Sequence, residues 1–293
     1  MKTMLSIAIP KGSLEEQTLL LFKQADLEVK LTERGYNPTI EDPRISKVKI
    51  LRPQEIPEYV EQGYFDLGIT GKDWIVEREA DVVEVADLRY NKRTDAPVRI
   101  VLAVQQDSGI ERPEQMPENA KISTEYPNIT RRYFERLRIP VRIFFSYGAT
   151  EAKDMMDGIV ELTETGETLT KNNWRIIDVL MESTARLIAN KDAWNDPTKR
   201  KAIEEIKTLL LGVLEARGRV LLSMNVRADR LESVVRALPA LKRPTISRLY
   251  GDGEEYYAVE TVVSKKEVNV LIPKLKELGA EDILEIDILK IVR

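Results

Sequence analysis

The 293-residue sequence contains no cysteine and no histidine. The absence of cysteine excludes disulfide bonds and thiolate metal sites. The absence of histidine removes the side chain that most often transfers protons near neutral pH. Any acid–base chemistry must therefore use carboxylates, lysines, tyrosines or the substrate itself.

The sequence also has no large excess of positive or negative residues and no long apolar run. Lys+Arg number 45 and Asp+Glu 49, interspersed along the chain for a net charge of −4, so no basic stripe indicates a nucleic-acid partner. The longest apolar runs, such as Ile100 to Val104, are strand-sized and far short of the ~20 residues that span a bilayer. The N-terminal apolar segment is too short for a secretory signal, which predicts a cytoplasmic protein with no membrane segment.

The composition is that of a globular protein. The hydrophobic share is 43% and the charged share 32%, unlike the composition of disordered chains. The length is sufficient for two or three domains that each bury a substantial core.

The first two thirds alternate strand and helix patterns. Strands are predicted at 4–10, 47–52, 66–70, 99–106, 121–125, 141–148 and 157–162, with helices after Ser13 and at 128–138 and 150–156. Ser13 is the predicted N-cap of its helix, with Glu16 completing a capping box. This alternation predicts βαβ units in two largely parallel sheets. Two β segments within 174–190 would return the chain to the first domain before a long helix at Asp196-Pro197.

The last 76 residues follow a different pattern. Strands are predicted at 219–226, 245–249, 256–264 and 282–292, with helices at 229–238 and around Val268 to Leu278, where Pro273 obscures the helix start. The order βαββαβ is typical of a separate ferredoxin-like domain.

One strand end has the composition of an anion-binding loop. The segment "DGIVELTETGETL" (157–169) places threonines around Gly166 directly after a predicted strand, and we call residues 161–168 the Thr-Gly loop. Backbone N–H groups and hydroxyls in such a loop can hold a phosphate without a lysine. Its carboxylates can bind sugar hydroxyls or Mg²⁺. An exposed turn with solvated glutamates fits the same residues.

Six ordered motifs resemble those of the ATP phosphoribosyltransferase family in its long form. They are "IAIPKGSL" (7–14), "LRPQEIPEYV" (51–60), "FDLGITGKD" (65–73), "STEYPNITRRYF" (123–134), "YGATE" (147–151) and the Thr-Gly loop segment. The C-terminal pattern, with "PTISRL" and "LGAEDI", is similar to the family's regulatory domain. The resemblance implies two periplasmic-binding-protein-like α/β domains flanking a cleft (1–95 with 185–215, and 96–184) and an ACT-like regulatory domain (216–293).

The resemblance also implies the ligands and their residues. The enzyme would transfer the phosphoribosyl group of 5-phosphoribosyl 1-pyrophosphate to N1 of ATP, the first step of histidine biosynthesis, with Mg²⁺ as cofactor and no assigned general base. Phosphoribosyl pyrophosphate would meet Glu161, Thr163, Glu164, Thr165, Gly166, Glu167 and Thr168. The pyrophosphate and ATP side would be Lys11, Gly12, Arg52, Gly71, Asp73, Tyr126 and Asn128. For the last four, ordinary helix starts and turns remain an alternative, with Thr70 as a helix cap.

Regulation and assembly follow from the same resemblance. L-Histidine would inhibit from a site between regulatory domains of adjacent subunits in a homo-oligomer, a dimer to a hexamer, at Asn225, Leu241, Arg243, Thr245 and Ala280. A domain used only for assembly is the alternative. Two other functions remain open: a non-catalytic cytoplasmic sensor with a two-domain cleft, and a single-domain salvage phosphoribosyltransferase. The salvage enzymes usually have two adjacent acidic residues before the Thr-Gly turn, whereas Leu162 follows Glu161 here.

Overall fold

The structure is a computed structural model that describes residues 4–31, 37–90, 97–148, 155–239, 243–251 and 253–293. The chain divides into two compact units, Met1–Thr208 and Leu209–Arg293. Residues 150–154 of the predicted helix at 150–156 lie outside the described residues. No helix in the described ranges is long and apolar enough to cross a membrane.

The first unit alternates strands and helices as predicted. In chain order its elements are β1 (Leu5–Pro10), α1 (Glu15–Gln24), β2 (Val29–Lys30), β3 (Thr39–Ile40), β4 (Ile45–Leu51), α2 (Ile56–Glu61), β5 (Leu67–Gly71), α3 (Lys72–Arg78), β6 (Val83–Leu88), β7 (Val98–Gln105), β8 (Ala120–Thr124), α4 (Pro127–Leu137), β9 (Val141–Phe145), β10 (Gly158–Thr163), α5 (Glu167–Lys171), β11 (Trp174–Ser183), β12 (Ala185–Ala189), α6 (Lys191–Asn195) and α7 (Pro197–Ala216), in which the boundary between the units falls.

These strands form two five-stranded sheets of matching topology. The first sheet has the order β4-β1-β5-β12-β6 and the second β11-β7-β10-β8-β9. In each sheet four strands run parallel and one is antiparallel: β12 in the first sheet and β7 in the second. The antiparallel strand is in each case the one that follows directly after a strand of the other sheet. The prediction of largely parallel sheets is therefore correct except at these two crossing strands.

The start of the first helix differs from its prediction. Gly12–Leu14 form a short 3-10 turn, and α1 begins at Glu15 with no side-chain cap. The predicted capping box of Ser13 and Glu16 is wrong, because the Glu15 carboxylate accepts the Gly12 N–H at 3.1 Å instead. The start of α7 is as predicted: the Asp196 carboxylate accepts the N–H groups of Thr198 and Lys199 at 2.8 and 3.0 Å.

Each sheet has its own hydrophobic packing. In the first sheet, Ile56 and Val60 of α2 pack against β1 and β12. Close approach at this point needs a glycine, since a Cβ at Gly68 would lie 2.7 Å from the Ile56 side chain. The second sheet packs Leu169 of α5 on one face, beside Trp174, and α4 on the other.

The second unit is the predicted ferredoxin-like domain. Its elements are β13 (Arg219–Arg227), α8 (Leu231–Ala237), β14 (Thr245–Arg248), β15 (Tyr256–Ser264), α9 (Lys265–Glu277, with Pro273 inside it) and β16 (Ala280–Asp287). The strands form one antiparallel sheet in the order β14-β15-β13-β16. Alternate residues of β13, including Val220 and Leu222, pack against the helices. The last strand ends at Asp287, five residues before the predicted end at 292.

Candidate active site

The parallel strands of the first sheet end side by side at one edge. β1 and β4 are neighbours in parallel register, with Pro10 opposite Leu51, so Lys11 and Arg52 are the next residues of adjacent strands. The Lys11 N–H donates to the Leu51 carbonyl at 2.7 Å and continues the ladder by one residue. Both Lys11 and Arg52 are exposed. Two cations are thus presented together at this edge.

The second sheet brings its own strand ends to the same place. β8 and β10 are parallel neighbours, and Glu125 and the Thr-Gly loop follow them. A cavity of about 290 Å³ lies between the two sets of strand ends. Its walls include Ser13, Leu14, Gly71 and Asp73 from the first sheet and Tyr126, Glu161 and Glu164 from the second. The predicted cleft is therefore present, and residues from both sheets line it.

The Thr-Gly loop is held in shape by its own threonines. The Gly166 N–H donates to the Thr163 hydroxyl at 2.8 Å, and the Thr170 hydroxyl donates to the Gly166 carbonyl at 3.2 Å. Gly166 has φ +83°, in the left-handed region that favours glycine. A Cβ at this position would lie 3.3 Å from the Ile176 Cδ1. Thr163, which is buried, thus shapes the loop rather than facing solvent.

The exposed part of the loop is the start of α5. Thr165, Glu167 and Thr168 are exposed, whereas Leu169 is buried against the second sheet. The first N–H groups of a helix have no partners within the helix, and the partial positive charge there favours anions. The Thr165 hydroxyl accepts the Glu167 N–H at 3.4 Å, and the Thr168 side chain is exposed. This end of the loop has the donors that a phosphate needs.

The backbone N–H groups of Gly12 and Arg52 are not open donors. The Gly12 N–H donates to Glu15, and the Arg52 N–H donates to the Glu55 carboxylate at 3.3 Å. The side chain of Arg52 lines a second cavity, of about 350 Å³, beside the first. At the edge of the first sheet, an anion would therefore be bound mainly by charged side chains and not by backbone N–H groups.

Three residues predicted on the ATP side, Asp73, Tyr126 and Asn128, make hydrogen bonds within the protein. The Asp73 carboxylate accepts the Ser183 hydroxyl at 2.5 Å and the Tyr126 hydroxyl at 3.1 Å. Burial raises the pKa of Asp73 above its ordinary value, against the effect of these hydrogen bonds, and raises that of Tyr126 well above its own. Asn128 donates its side-chain N–H to the Glu77 carbonyl at 2.9 Å.

Gly71 makes room for this network. It has φ −78°, and a Cβ there would lie 2.0 Å from the Asp73 Oδ1. The alternative in which Thr70 caps α3 is wrong, because its hydroxyl donates to the Pro53 carbonyl at 2.7 Å. An N–H group at the start of α3 is instead satisfied by Ser183. Its hydroxyl accepts the Asp73 N–H at 3.0 Å.

Sequence reasoning missed several cavity residues. Gln54 and Trp74 line both cavities, Glu77 lines the second and Ser183 the first. The available signal was position: Gln54 and Trp74 each lie within three residues of a strand end, and Ser183 lies at the junction of the two β segments within 174–190. Burial of Glu77, which raises its pKa, has no signal in the local sequence.

The residues predicted to bind histidine are only partly on one face. Asn225 and Thr245 lie in rows of the second unit's sheet that alternate with the buried rows, and Arg243 is exposed. The Asn225 amide donates to the Asp282 carboxylate at 2.9 Å. Ala280 is buried in the core on the other face. Leu241 lies outside the described residues.

The cleft has oxygen ligands for a magnesium ion but no complete protein site. Within the described ranges, no three acidic side chains are grouped so that they hold a metal by themselves. Magnesium usually needs only one or two carboxylates when substrate phosphates supply the other ligands. Glu161 and Glu164, which both line the first cavity, fit that requirement.

Comparison with known proteins agrees with this arrangement. The family model for ATP phosphoribosyltransferase matches residues 52–212, and the model for the HisG C-terminal domain matches residues 216–290. ATP phosphoribosyltransferases of Desulforudis audaxviator and Trichlorobacter lovleyi are 45% and 46% identical, covering 98% and 100% of this chain and 99% and 100% of theirs. A solved structure, the ATP phosphoribosyl transferase (HisG:HisZ) complex from Thermotoga maritima, is 29% identical with a TM-score of 0.62, over 72% of this chain and 99% of that one.

The fold class agrees as well. Two α/β sheets of matching topology flank a cleft, and a ferredoxin-like domain follows them, as predicted. The family model covers more than half of the chain, and the two relatives align over nearly all of it. The chain belongs to the ATP phosphoribosyltransferase family.

Proposed function

We propose that the cleft between the two sheets of the first unit is where this phosphoribosyltransferase joins its substrates. The enzyme transfers the phosphoribosyl group of 5-phosphoribosyl 1-pyrophosphate to N1 of ATP, giving phosphoribosyl-ATP and pyrophosphate, the first step of histidine biosynthesis. The observation that carries the placement is the cavity of about 290 Å³, which Glu161 and Glu164 of the Thr-Gly loop line from one side and Gly71 at the end of β5 lines from the other.

The cleft divides the substrate by chemical group. The 5′-phosphate is bound by the α5 N–H groups and the hydroxyls of Thr165 and Thr168, and the ribose hydroxyls by the Glu161 carboxylate. The pyrophosphate lies toward Lys11 and Arg52, whose charges are adjacent across β1 and β4. Glu164 and Glu167 contribute through their backbone. This assignment gives each end of the substrate a partner of the right charge.

The reaction needs positioning more than proton transfer. N1 of adenine attacks C1 of the ribose with inversion as pyrophosphate leaves, through an oxocarbenium-like state. Holding two polyanions in line for this displacement lowers the barrier by removing rotational and translational freedom. Stabilising the departing pyrophosphate is the task of Lys11 and Arg52. No general base is required by this scheme, which suits a chain without histidine.

Magnesium completes the charge balance of the site. The Glu161 carboxylate would hold the ion, directly or through water, together with substrate oxygens. When bound, Mg²⁺ screens the repulsion between the two polyphosphates. Removing it with a chelator is expected to abolish turnover.

The Thr-Gly loop assignment can be tested by binding. We expect Thr168→Ala and Glu161→Ala each to weaken phosphoribosyl pyrophosphate binding about tenfold, the value of one hydrogen bond to a charged group. The measurement is titration calorimetry with Mg²⁺ present. Thr198→Ala is the matched control, because Thr198 is also an exposed second residue of a helix but lies in α7. Unchanged affinity in both loop variants would refute the placement.

We also propose that the second unit mediates inhibition by L-histidine in a homo-oligomer of two to six subunits. Asn225, Arg243 and Thr245 would bind the amino acid on the open face of the sheet. Ala280 would contribute only its backbone, since its side chain is buried.

Histidine control predicts a separable effect. We expect Asn225→Ala to raise the histidine concentration for half-inhibition about tenfold without changing kcat, because one hydrogen-bonding group of the effector site is lost. The measurement is a histidine titration of the initial rate. Absence of inhibition and of calorimetric binding in the wild-type enzyme would limit this domain to assembly.

The two sheets and the second unit define the proposed domains, and the cleft between the sheets bears on the two other candidate functions. We propose catalytic domain I as 1–95 with 185–215, catalytic domain II as 96–184, and the regulatory domain as 216–293. A single-domain salvage enzyme does not have the two-sheet cleft. A non-catalytic sensor would bind phosphoribosyl pyrophosphate without forming phosphoribosyl-ATP.

A further inference from the structure

Two helices that belong to different sheets are bonded to each other beside the cleft. α3 follows β5 of the first sheet, and α4 follows β8 of the second. We call the residues that join them, Asp73, Glu77, Tyr126, Asn128 and Ser183, the α3–α4 bridge.

Asp73 is the centre of the bridge. Its side chain is buried, and it accepts hydrogen bonds from Ser183, at the crossing between the sheets, and from Tyr126, at the start of α4. Its own N–H donates to the Ser183 hydroxyl. A buried carboxylate is costly unless its oxygens are hydrogen-bonded, and here partners from two other segments supply the bonds. Asp73 therefore fixes three chain segments at one point.

Glu77 holds the same helix one turn further along. Its carboxylate accepts the N–H groups of Asn128 and Ile129, at 3.0 and 2.9 Å, so a residue of α3 caps the N-terminus of α4. The Asn128 amide returns a hydrogen bond to the Glu77 carbonyl. The Arg132 guanidinium donates to the Val76 carbonyl at 2.8 Å. The contact thus extends along both helices.

α3 and the start of α4 are also joined by apolar packing. The Trp74 ring of α3 lies 4.6 Å from the Tyr126 ring and belongs to the hydrophobic cluster of the second sheet. Both rings line the first cavity. The cavity wall therefore includes a side chain of α3 and that of the residue directly before α4.

We propose that Asp73 is a positioning residue for phosphoribosyl transfer, acting through Tyr126 and the start of α4 to fix the separation of the two sheets' strand ends. This inference rests on the proposed function, because Lys11 and Arg52 are placed on one sheet and the Thr-Gly loop on the other. Both act on one substrate molecule, so a shift between the sheets misaligns the leaving group with the sugar. A misplacement of about 1 Å costs on the order of 100-fold in rate.

The kinetic test is Tyr126→Phe, which keeps the ring and removes the hydrogen bond to Asp73. We expect kcat to fall at least about tenfold, while KM for each substrate stays within about threefold, the signature of lost transition-state alignment. Gly71→Ala should show the same split, since it deletes no polar group but puts a methyl against the Asp73 carboxylate.

The matched control is Tyr133→Phe. Tyr133 is also in α4 and also donates to an aspartate, Asp178, but both partners pack on the second sheet. We expect kcat within about twofold of wild type, although the two variants lose the same kind of bond. Equal kcat losses in both, or a rise in KM for ATP with kcat unchanged in Tyr126→Phe, would overturn the positioning role.

A distance measurement separates this inference from the proposed function. The chain has no cysteine, so spin labels attach only at introduced sites, such as Glu58→Cys in α2 beside the first sheet and Glu118→Cys in the loop before β8 of the second. We expect one narrow distance distribution in the wild-type background and a broader one with Tyr126→Phe, whether or not the chain turns over substrate. Equal widths would overturn the bridge, whereas a chain without phosphoribosyl-ATP formation but with this broadening would contradict only the proposed function.

Discussion

Gly166→Ala is expected to lower kcat/KM for phosphoribosyl pyrophosphate by about two orders of magnitude. Gly166 has φ +83°, and an added Cβ would stand 3.3 Å from the Ile176 Cδ1. Both the backbone strain and the contact push the loop away from its position at the start of α5. A phosphate held by oriented N–H groups tolerates little displacement, since about 1 Å can cost 100-fold. Steady-state rates with saturating ATP measure the loss.

The control for this variant is another glycine of the same backbone type. Gly109 has φ +73° in the loop after β7, and a Cβ there would meet nothing within 4 Å. Gly109→Ala should carry a similar conformational cost of about 1 kcal/mol, with unchanged turnover. If the two variants lowered the rate equally, strain alone would explain the effect and the loop would have no special role.

Lys11→Ala is expected to lower kcat/KM by about 100- to 1,000-fold, the usual loss when a charged group that stabilises a leaving group is removed. Lys11 follows Pro10 at the strand end, directly beside Arg52. Its loss leaves one cation to face the departing pyrophosphate. The free energy of unfolding should not fall, because the variant relieves repulsion between two exposed like charges. The measurements are the rate at fixed ionic strength and a denaturant titration.

Arg52→Ala should behave in the same way, and the two losses should not multiply fully, because both side chains serve one pyrophosphate. Lys23→Ala is the control, since Lys23 lies near the far end of α1 and pairs with Glu28 on the surface. Full activity in Lys11→Ala would remove the first sheet from the catalytic scheme.

The sequence was sufficient for the elements that depend on local pattern. The strands before Lys11, Arg52 and the Thr-Gly loop were predicted because apolar runs of strand length end there in polar or glycine residues. The ferredoxin-like domain was predicted from element order alone, since βαββαβ leaves few ways to pair four strands. Its sheet order, β14-β15-β13-β16, agrees.

What the sequence did not reveal depends on contacts between distant segments. The family resemblance placed Asp73 and Asn128 on the ATP side, whereas the structure shows their side chains bonded across the sheets to Tyr126 and to Glu77. Those partners are about 50 residues away, and no local periodicity records such a pairing. The capping box at Ser13 failed for a related reason, because the backbone forms a 3-10 turn there first. Local sequence patterns therefore predict where strands end, but they do not predict which distant residues form hydrogen bonds.

The most direct test of the proposed reaction is the turnover of the purified chain with ATP, phosphoribosyl pyrophosphate and Mg²⁺, read as phosphoribosyl-ATP absorbance with pyrophosphate removed. Product formation should require all three components, and Gly166→Ala and Lys11→Ala should each reduce it at least about 100-fold. Binding of phosphoribosyl pyrophosphate without any product would identify a sensor rather than an enzyme. Wild-type rates in both variants would contradict the placement of the reaction between the two sheets.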